Sequence, residues 1–297
     1  MTFTQLLLEQ SKEVLPGFIY WSVLPLIPFF IAERLWPVGK PPGLRDYGMN
    51  ILITLSMVYL SLPLGIVVAS WSAQLRHYLP WQPLSLTFSS IGHIPVIGST
   101  LEVLAMIFVP LFLHDCWYYW SHRLEHKIPL IWAFHRLHHD DERMSTATWA
   151  RDHFMEGIWR TCFSVLTLGL IVDLDLKEAG HAALYSNIIV AGLSMFYHAA
   201  IRVQLPWLDR IIVTPQVHRI HHSIGPEHYN SNFADVFPIF DIVFGTYRGP
   251  AKDEFPATGI GRDFPPPRSI WSAAFVPLVA AGKILVGAAP SKRNIIA

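Results

Sequence analysis

Charged residues are scarce in this sequence. Asp, Glu, Lys and Arg make up 15% of its 297 residues, against about 25% in an average soluble domain. The mean hydropathy is +0.35 and 52% of the residues are hydrophobic, so the composition predicts a membrane protein. Lys plus Arg and Asp plus Glu are equal at 22 each. Without a basic excess, we expect no nucleic-acid partner.

Cysteine is also scarce, since Cys116 and Cys162 are the only two in the sequence. This number excludes a disulfide framework and a cysteine-based zinc site, so a bound metal would be held by nitrogen or oxygen. The sequence has no G-x-G-x-x-G motif after a strand-like run, which argues against a flavin or nicotinamide domain of its own. The first residues lack the pattern of a signal peptide, so we expect the first apolar segment to stay in the protein.

Long apolar runs are abundant, and a bilayer-spanning helix needs roughly 20 such residues. The run at 51–71 contains no charged residue, which makes the alternative of buried helices in a soluble protein improbable. The run at 94–113 continues without a helix breaker into the histidine-bearing residues that follow it. We predict an all-α integral membrane protein with four to five transmembrane helices in a single membrane domain, residues 1–297. The remaining candidate segments are 15–32, the pair 158–172 and 182–197, and 270–288. The pair forms a hairpin of two spans or is partly inserted, and 270–288 spans, lies in the interface or packs on the protein.

Lys and Arg are distributed unequally between alternate loops of this arrangement. Twelve lie in one set of loops and three in the other. Because Lys and Arg collect on the cytoplasmic side, this asymmetry predicts a multi-pass protein with its histidine-rich segments on the cytoplasmic face. The larger set is Arg34, Lys40, Arg45, Arg123, Lys127, Arg136, Arg143, Arg151, Arg202, Arg210, Arg219 and Arg248, and the smaller set is Lys12, Arg76 and Lys177.

Histidines are concentrated in one part of the chain, with 13 of the 15 between His114 and His228. The sequence HRLHH at 135–139 is repeated as HRIHH at 218–222, and HRLEH at 122–126 precedes both. Positions i, i+3 and i+4 share a helix face, so we expect each triplet to aim at one point. A single pair would be read as a solvated helix face, but eight neutral imidazoles predict metal binding. The predicted ligands are His122, His126, His135, His138, His139, His218, His221 and His222.

Eight ligands exceed the needs of one ion, so the sequence predicts two. His198, at the end of the predicted hairpin, is a candidate ninth ligand, and a lone interfacial histidine is the alternative. The spacing from Asp115 to His122 and to His126 is close to a whole number of helical turns, so the three side chains share a helix face. We therefore expect the Asp115 carboxylate to accept a ring N–H of a ligand. Tyr119 faces the histidine side by the same spacing. Four more charged residues are expected to be solvated or to form salt bridges: Glu125, Arg136, Asp140 and Asp141.

These motifs resemble the membrane-bound fatty acid hydroxylase and sterol desaturase superfamily, with its HxxxH, HxxHH and later HxxHH pattern. The resemblance includes DCWYYWSHR at 115–123, RDHFME at 151–156 and the FGTY ending at 244–247, and it covers a catalytic region of about 101–247. Asp241 matches the aspartate before that ending. The chain departs from the pattern at Ala200, Arg202 and Phe240.

The resemblance implies a transmembrane base under a cytoplasmic helical cap that houses two iron ions and uses O₂ as co-substrate. Zinc is expected as a substitute in purified material, because imidazole binds several metals. The implied substrate is a lipid such as a fatty acyl chain or sterol. Electrons would come from a separate donor: cytochrome b5, a ferredoxin or a flavin reductase. No catalytic residue beyond the metal ligands is expected.

The expected reaction is hydroxylation of an unactivated C–H bond, because only a redox metal with O₂ can carry out that chemistry. Desaturation of the same lipid is the alternative, since ligand spacing does not separate the two outcomes. A histidine-rich metal transporter is a further alternative from another class. Transport sites are expected near mid-membrane on broken helices, whereas these histidines lie at and beyond helix ends.

Overall fold

The structure is a computed structural model that describes residues 12, 16–76, 78–81, 84–86, 94, 96–174, 176–261, 266–267 and 269–287. Within these residues the regular secondary structure is almost all helical, as predicted. A π-helical turn at Ile19–Val23 leads into α1 (Leu26–Leu35). The other helices are α2 (Leu44–Arg76), α3 (Gly98–Lys127), α4 (Pro129–His139), α5 (Phe154–Ile171), α6 (Leu176–His198), α7 (Pro215–His221), α8 (Ile239–Val243) and α9 (Ile270–Leu285).

Two short strands and two 3-10 turns complete these elements. Strand β1 (Leu84–Leu86) pairs with β2 (Val172–Leu174) in parallel, with Ser85 opposite Asp173. The 3-10 turns are Thr146–Ala150 and Pro226–His228.

The apolar runs of the sequence form long helices. The uncharged run at 51–71 lies within α2, which passes through Pro63 without ending. Among the described residues, two segments are long and apolar enough to cross a membrane by length and composition, Pro16–Leu35 and Gly98–Lys127. The segments at 158–172 and 182–197 lie in helices α5 and α6, apart from Val172, which begins β2. Their pairing as a hairpin stays a prediction. How many of these helices span a bilayer stays a prediction.

Helix α3 changes its surroundings along its length. Near its start Val103, Phe108 and Phe112 are each about half exposed, whereas His122 and His126, near its end, are buried. Large apolar side chains left uncovered on a helix mark a lipid-facing or protein-binding surface. Helix α3 therefore joins an apolar exposed segment to the buried polar interior of the protein.

Two short helices carry the histidine triplets, and each begins at a proline. Pro129 and Pro215 occupy first-turn positions, where a missing N–H costs nothing and the fixed φ favours the helix. At α7 the Thr214 side chain also accepts a hydrogen bond from the Val217 N–H. Helix α4 ends at His139 and α7 ends at His221, with His222 directly after it, so the last histidine pairs lie at the C-terminal ends.

Long-range packing brings these helices together. Helix α5 packs along α2, α4 packs against both α9 and α3, and α6 contacts α3 and α7. The buried carboxylate of Glu33 in α1 accepts hydrogen bonds from the N–H groups of Thr146 and Ala200. That carboxylate ties the first helix to the 3-10 turn and to the end of α6, close to the histidines.

Candidate metal centre

Nine histidine side chains converge in two buried groups, and they are the nine that the sequence singled out. Within each group the ring nitrogens that could bind a metal lie within 4.8 Å of one another. Helices α3, α4, α6 and α7 supply them, so the centre depends on the packing of distant segments. The first group is His122, His126, His135, His139 and His221, and the second group is His138, His198, His218 and His222.

The two triplets do not each aim at one point, which corrects that expectation. His138 joins the second group while His135 and His139 join the first, and His221 is separated from His218 and His222 in the same way. At 100° per residue, i and i+4 differ by about 40°, whereas i+3 lies about 60° to the other side. The i+3 histidine therefore points away from its neighbours in both triplets, and each triplet contributes to both groups.

Hydrogen bonds at the outer edge of the rings fix which nitrogen faces inward. The Nδ1 atoms of His122 and His221 lie 2.8 Å from the carbonyl oxygens of Phe233 and Ser231. A carbonyl only accepts, so each Nδ1 carries the hydrogen and each Nε2 keeps its lone pair. Those two Nε2 atoms are buried and have no hydrogen-bond partner in the structure.

Hydrogen bonds at Nδ1 also orient the rings of His135 and His198. The Nδ1 of His135 lies 2.7 Å from a carboxylate oxygen of Glu156, and the Nδ1 of His198 lies 2.8 Å from the carbonyl oxygen of Ser194. Their Nε2 atoms therefore also present lone pairs to the interior of the groups. Such outer partners orient metal-binding histidines and raise their basicity.

The inner nitrogens lie at the spacing that a shared ion would require. Two Nε2 contacts in the first group, made by His135 with His126 and with His139, are both 3.1 Å. In the second group, His198 lies 3.2 Å from His138 and 3.0 Å from His218. Nitrogens that bind one ion at about 2.1 Å and at right angles lie about 3.0 Å apart.

Burial favours the neutral form of several of these rings. It lowers the pKa of His221 to about 3, because an imidazolium there would lose its hydration. The same desolvation lowers the pKa of His139 and His222, and neighbouring rings would repel a second positive charge. Neutral imidazole is the form that binds metal. The residues present therefore fit a pair of metal ions held by nitrogen.

A buried ion-pair network supports the groups from outside, and sequence reasoning did not identify it. The Arg160 guanidinium contacts Glu125, Asp152 and Glu156 at 2.6 to 3.1 Å. An arginine inside an apolar helical segment, four residues after a glutamate, is the signal that could have revealed it.

Two of the charged residues expected to be solvated or to form salt bridges do form salt bridges, and both are buried. Glu125 is 0% exposed and binds Arg160. Asp140 is also buried, and one of its oxygens lies 2.6 Å from Nη2 of Arg151.

The hydrogen-bond partners of Asp115 differ from the predicted one. Its buried carboxylate accepts the backbone N–H groups of Asp235, Val236 and Phe237 at 2.5 to 3.0 Å instead of a histidine ring N–H. The spacing along α3 correctly places Asp115 on the inner face, but only the fold brings the loop at 235–237 to it. Asp115 therefore holds that loop in place.

Asp241 and Tyr119 also contact the segment around Phe233 and hold it in place. Asp241 accepts the N–H groups of Phe233 and Ala234. Tyr119 packs against the Phe233 ring, and its hydroxyl lies 2.9 Å from that of Thr246. The Phe233 ring in turn contacts the rings of three histidines, His122, His126 and His221.

The chain is similar in sequence to proteins named as hydroxylases and monooxygenases. Residues 107–246 match the family model described as fatty acid hydroxylase. The chain is 26% identical over 245 residues to alkylglycerol monooxygenase of Homo sapiens, covering 80% of this chain and 48% of that protein. It is 29% identical over 142 residues to the ornithine lipid hydroxylase OlsE of Rhizobium tropici, covering 48% and 41%.

A third relative is the cholesterol 25-hydroxylase-like protein of Danio rerio, 26% identical over 231 residues, with 74% of this chain and 84% of that protein covered. The chain spans about half the length, or less, of the first two relatives. No solved structure matches it significantly.

Proposed function

We propose that this chain is a membrane-bound lipid hydroxylase of the fatty acid hydroxylase and sterol desaturase superfamily that uses two iron ions and O₂. The match of residues 107–246 to the fatty acid hydroxylase model and the similarity to lipid hydroxylases support this proposal. The observation that carries this proposal is the pair of buried imidazole groups at the end of a helix whose first half is apolar and exposed. The names of the relatives describe oxidation of lipids, which supports an oxidoreductase with a lipid substrate.

The nine histidines would hold the metal, five at one ion and four at the other. Bound iron would supply the activation of O₂ that an unactivated C–H bond requires and that no side chain provides. The chain's own contribution is to orient and to protect. The carbonyl oxygens of Phe233, Ser231 and Ser194 hold ring N–H groups outward, and burial of all nine side chains excludes water from the centre.

The lipid substrate would reach the centre from the bilayer. Helix α3 supports this route because its exposed apolar residues lead directly to His122 and His126. We propose four to five spans with the histidine groups in a cap on the cytoplasmic face, on the basis of the loop charges. A separate cytochrome b5, ferredoxin or flavin reductase would supply electrons.

Lipid analysis tests this function. The full chain is expressed in cell membranes, and lipid extracts are compared by mass spectrometry with those from His138→Ala and His114→Ala variants. His138 belongs to the second group, whereas His114 lies on α3 outside both groups and contacts Asp235. We expect lipids with one added oxygen atom from the intact protein and the His114 variant, and none from the His138 variant.

Two other results would change the conclusion. Lipids that lose two hydrogens instead of gaining oxygen would identify a desaturase. Equal lipid profiles for the intact protein and His138→Ala, with both proteins present in the membrane and loaded with iron, would contradict catalysis on those lipids.

A further inference from the structure

Both histidine groups are linked through one arginine. Arg160 binds Glu125 with two nitrogens, Nε at 2.9 Å and Nη2 at 3.1 Å. Its Nη2 also lies 2.6 Å from Glu156, and its Nη1 lies 3.1 Å from Asp152. Three carboxylates therefore surround one guanidinium, whose side chain is only 18% exposed.

Each histidine group has one member whose Nδ1 atom lies next to a carboxylate of this network. The Nδ1 of His135, in the first group, lies 2.7 Å from Glu156 and 3.4 Å from Glu125. The Nδ1 of His138, in the second group, lies 3.2 Å from Asp152. Both Nε2 atoms point to the inner nitrogens of their groups. The path from one group to the other thus runs through two rings, their carboxylates and Arg160.

We propose that Arg160 is a positioning residue that sets the metal affinity of both sites together, by fixing the carboxylates that orient His135 and His138. This inference rests on the proposed dimetal function. Outer carboxylates typically change metal affinity about 10- to 100-fold. The planar fork of arginine holds several carboxylates in fixed directions, which a lysine ammonium does not.

The charge of the network agrees with this role. Neutral imidazoles bring no negative charge to a pair of dications, and a bound ion is the largest local charge at such a site. Three carboxylates against one guanidinium place an excess of acidic groups beside both sites. Arg160 keeps those carboxylates apart and hydrogen-bonded while they face the rings.

Cobalt(II) titration of the full-length protein in detergent tests the proposal, with visible absorption recording each bound ion. His122→Ala and His218→Ala, one from each group, identify which absorption belongs to which site. We expect Glu156→Gln to weaken mainly the first site and Asp152→Asn mainly the second, each by about 10- to 100-fold. Arg160→Gln should weaken both, and Arg160→Lys should recover part of the loss.

The control is Arg143→Gln, because Arg143 is 58% exposed and pairs with Asp46 at the surface. It should leave both affinities unchanged. The inference would be overturned if Arg160→Gln kept wild-type cobalt affinity at both sites. It would also be overturned if Glu156→Gln and Asp152→Asn each weakened both sites equally. If Arg160→Gln does not fold, the two amide variants decide by the same criterion. Absence of cobalt binding by the wild-type protein would overturn the dimetal function as well.

Discussion

The Nε2 atoms of His138 and His198 lie 3.2 Å apart, although 60 positions separate the two residues in the chain. Helix α4 ends just after His138, and helix α6 ends at His198. For His198 the sequence leaves a lone interfacial histidine as the alternative to a ligand. Its position places it in the second group with His218 and His222.

His198→Ala should weaken metal binding selectively at the second group, because one of only four imidazoles there is lost. We expect the loss of affinity to exceed the roughly 10- to 100-fold that removal of an outer partner causes. Metal content per chain, measured by elemental analysis after dialysis against a weak chelator, should fall while the first site stays occupied. His114→Ala serves as control, and identical metal content in both variants would exclude His198 as a ligand.

Arg151→Met should destabilise the protein far more than Arg143→Met. Arg151 is buried and contacts Asp140 at 2.6 Å, whereas Arg143 is exposed and contacts Asp46 at 3.0 Å. Removing one partner of a buried pair costs about 3–5 kcal/mol, while an exposed pair contributes about 0–1 kcal/mol. Thermal unfolding in detergent, followed by circular dichroism, measures the difference. Equal melting temperatures for the two variants would contradict the buried role of Asp140.

Asp115→Asn should loosen the loop at 235–237 rather than remove metal. The carboxylate accepts three N–H groups there, and an amide offers only one oxygen and adds a donor. An unsatisfied buried group costs about 1–3 kcal/mol. Hydrogen exchange should become faster at residues 235–237, with metal content unchanged. Metal loss with normal exchange would instead support the direct contact to a ligand that the sequence suggested.

Metal removal should lower the melting temperature, because bound ions stabilise only the folded state. At a free metal concentration about 100 times Kd, one site contributes roughly 2.7 kcal/mol. Chelation followed by return of iron(II) without oxygen should lower and then restore the melting temperature. His122→Ala combined with His218→Ala, one residue from each group, should respond much less. An unchanged melting temperature of the intact protein on chelation would argue against ions bound within this fold.

Much of the fold could be predicted from local sequence. Uncharged apolar runs predict helices at 51–71 and 94–113, and these lie in α2 and α3 apart from residues at the start of the second run. The histidine spacing also identified eight of the nine histidines that the structure brings together, and the ninth, His198, was a candidate from its position at the end of the predicted hairpin. These signals are local, because helix formation depends on neighbours within a few residues.

The partition of the histidines was decided by tertiary structure. The sequence favoured one target per triplet, but the packing of α3, α4, α6 and α7 divides each triplet between the two groups. The Phe233 carbonyl that orients His122, and the Asp115 carboxylate that holds the loop at 235–237, depend on contacts between residues far apart in the chain.

Sequence alone thus determined a helical, apolar chain with eight clustered imidazoles and a candidate ninth, since periodicity and hydropathy act over short distances. Only the tertiary structure decided which rings share a site and that Arg160 lies between the outer partners of His135 and His138. The physical reason is that a helix fixes the direction of a side chain, whereas the atom it meets depends on how separate helices pack.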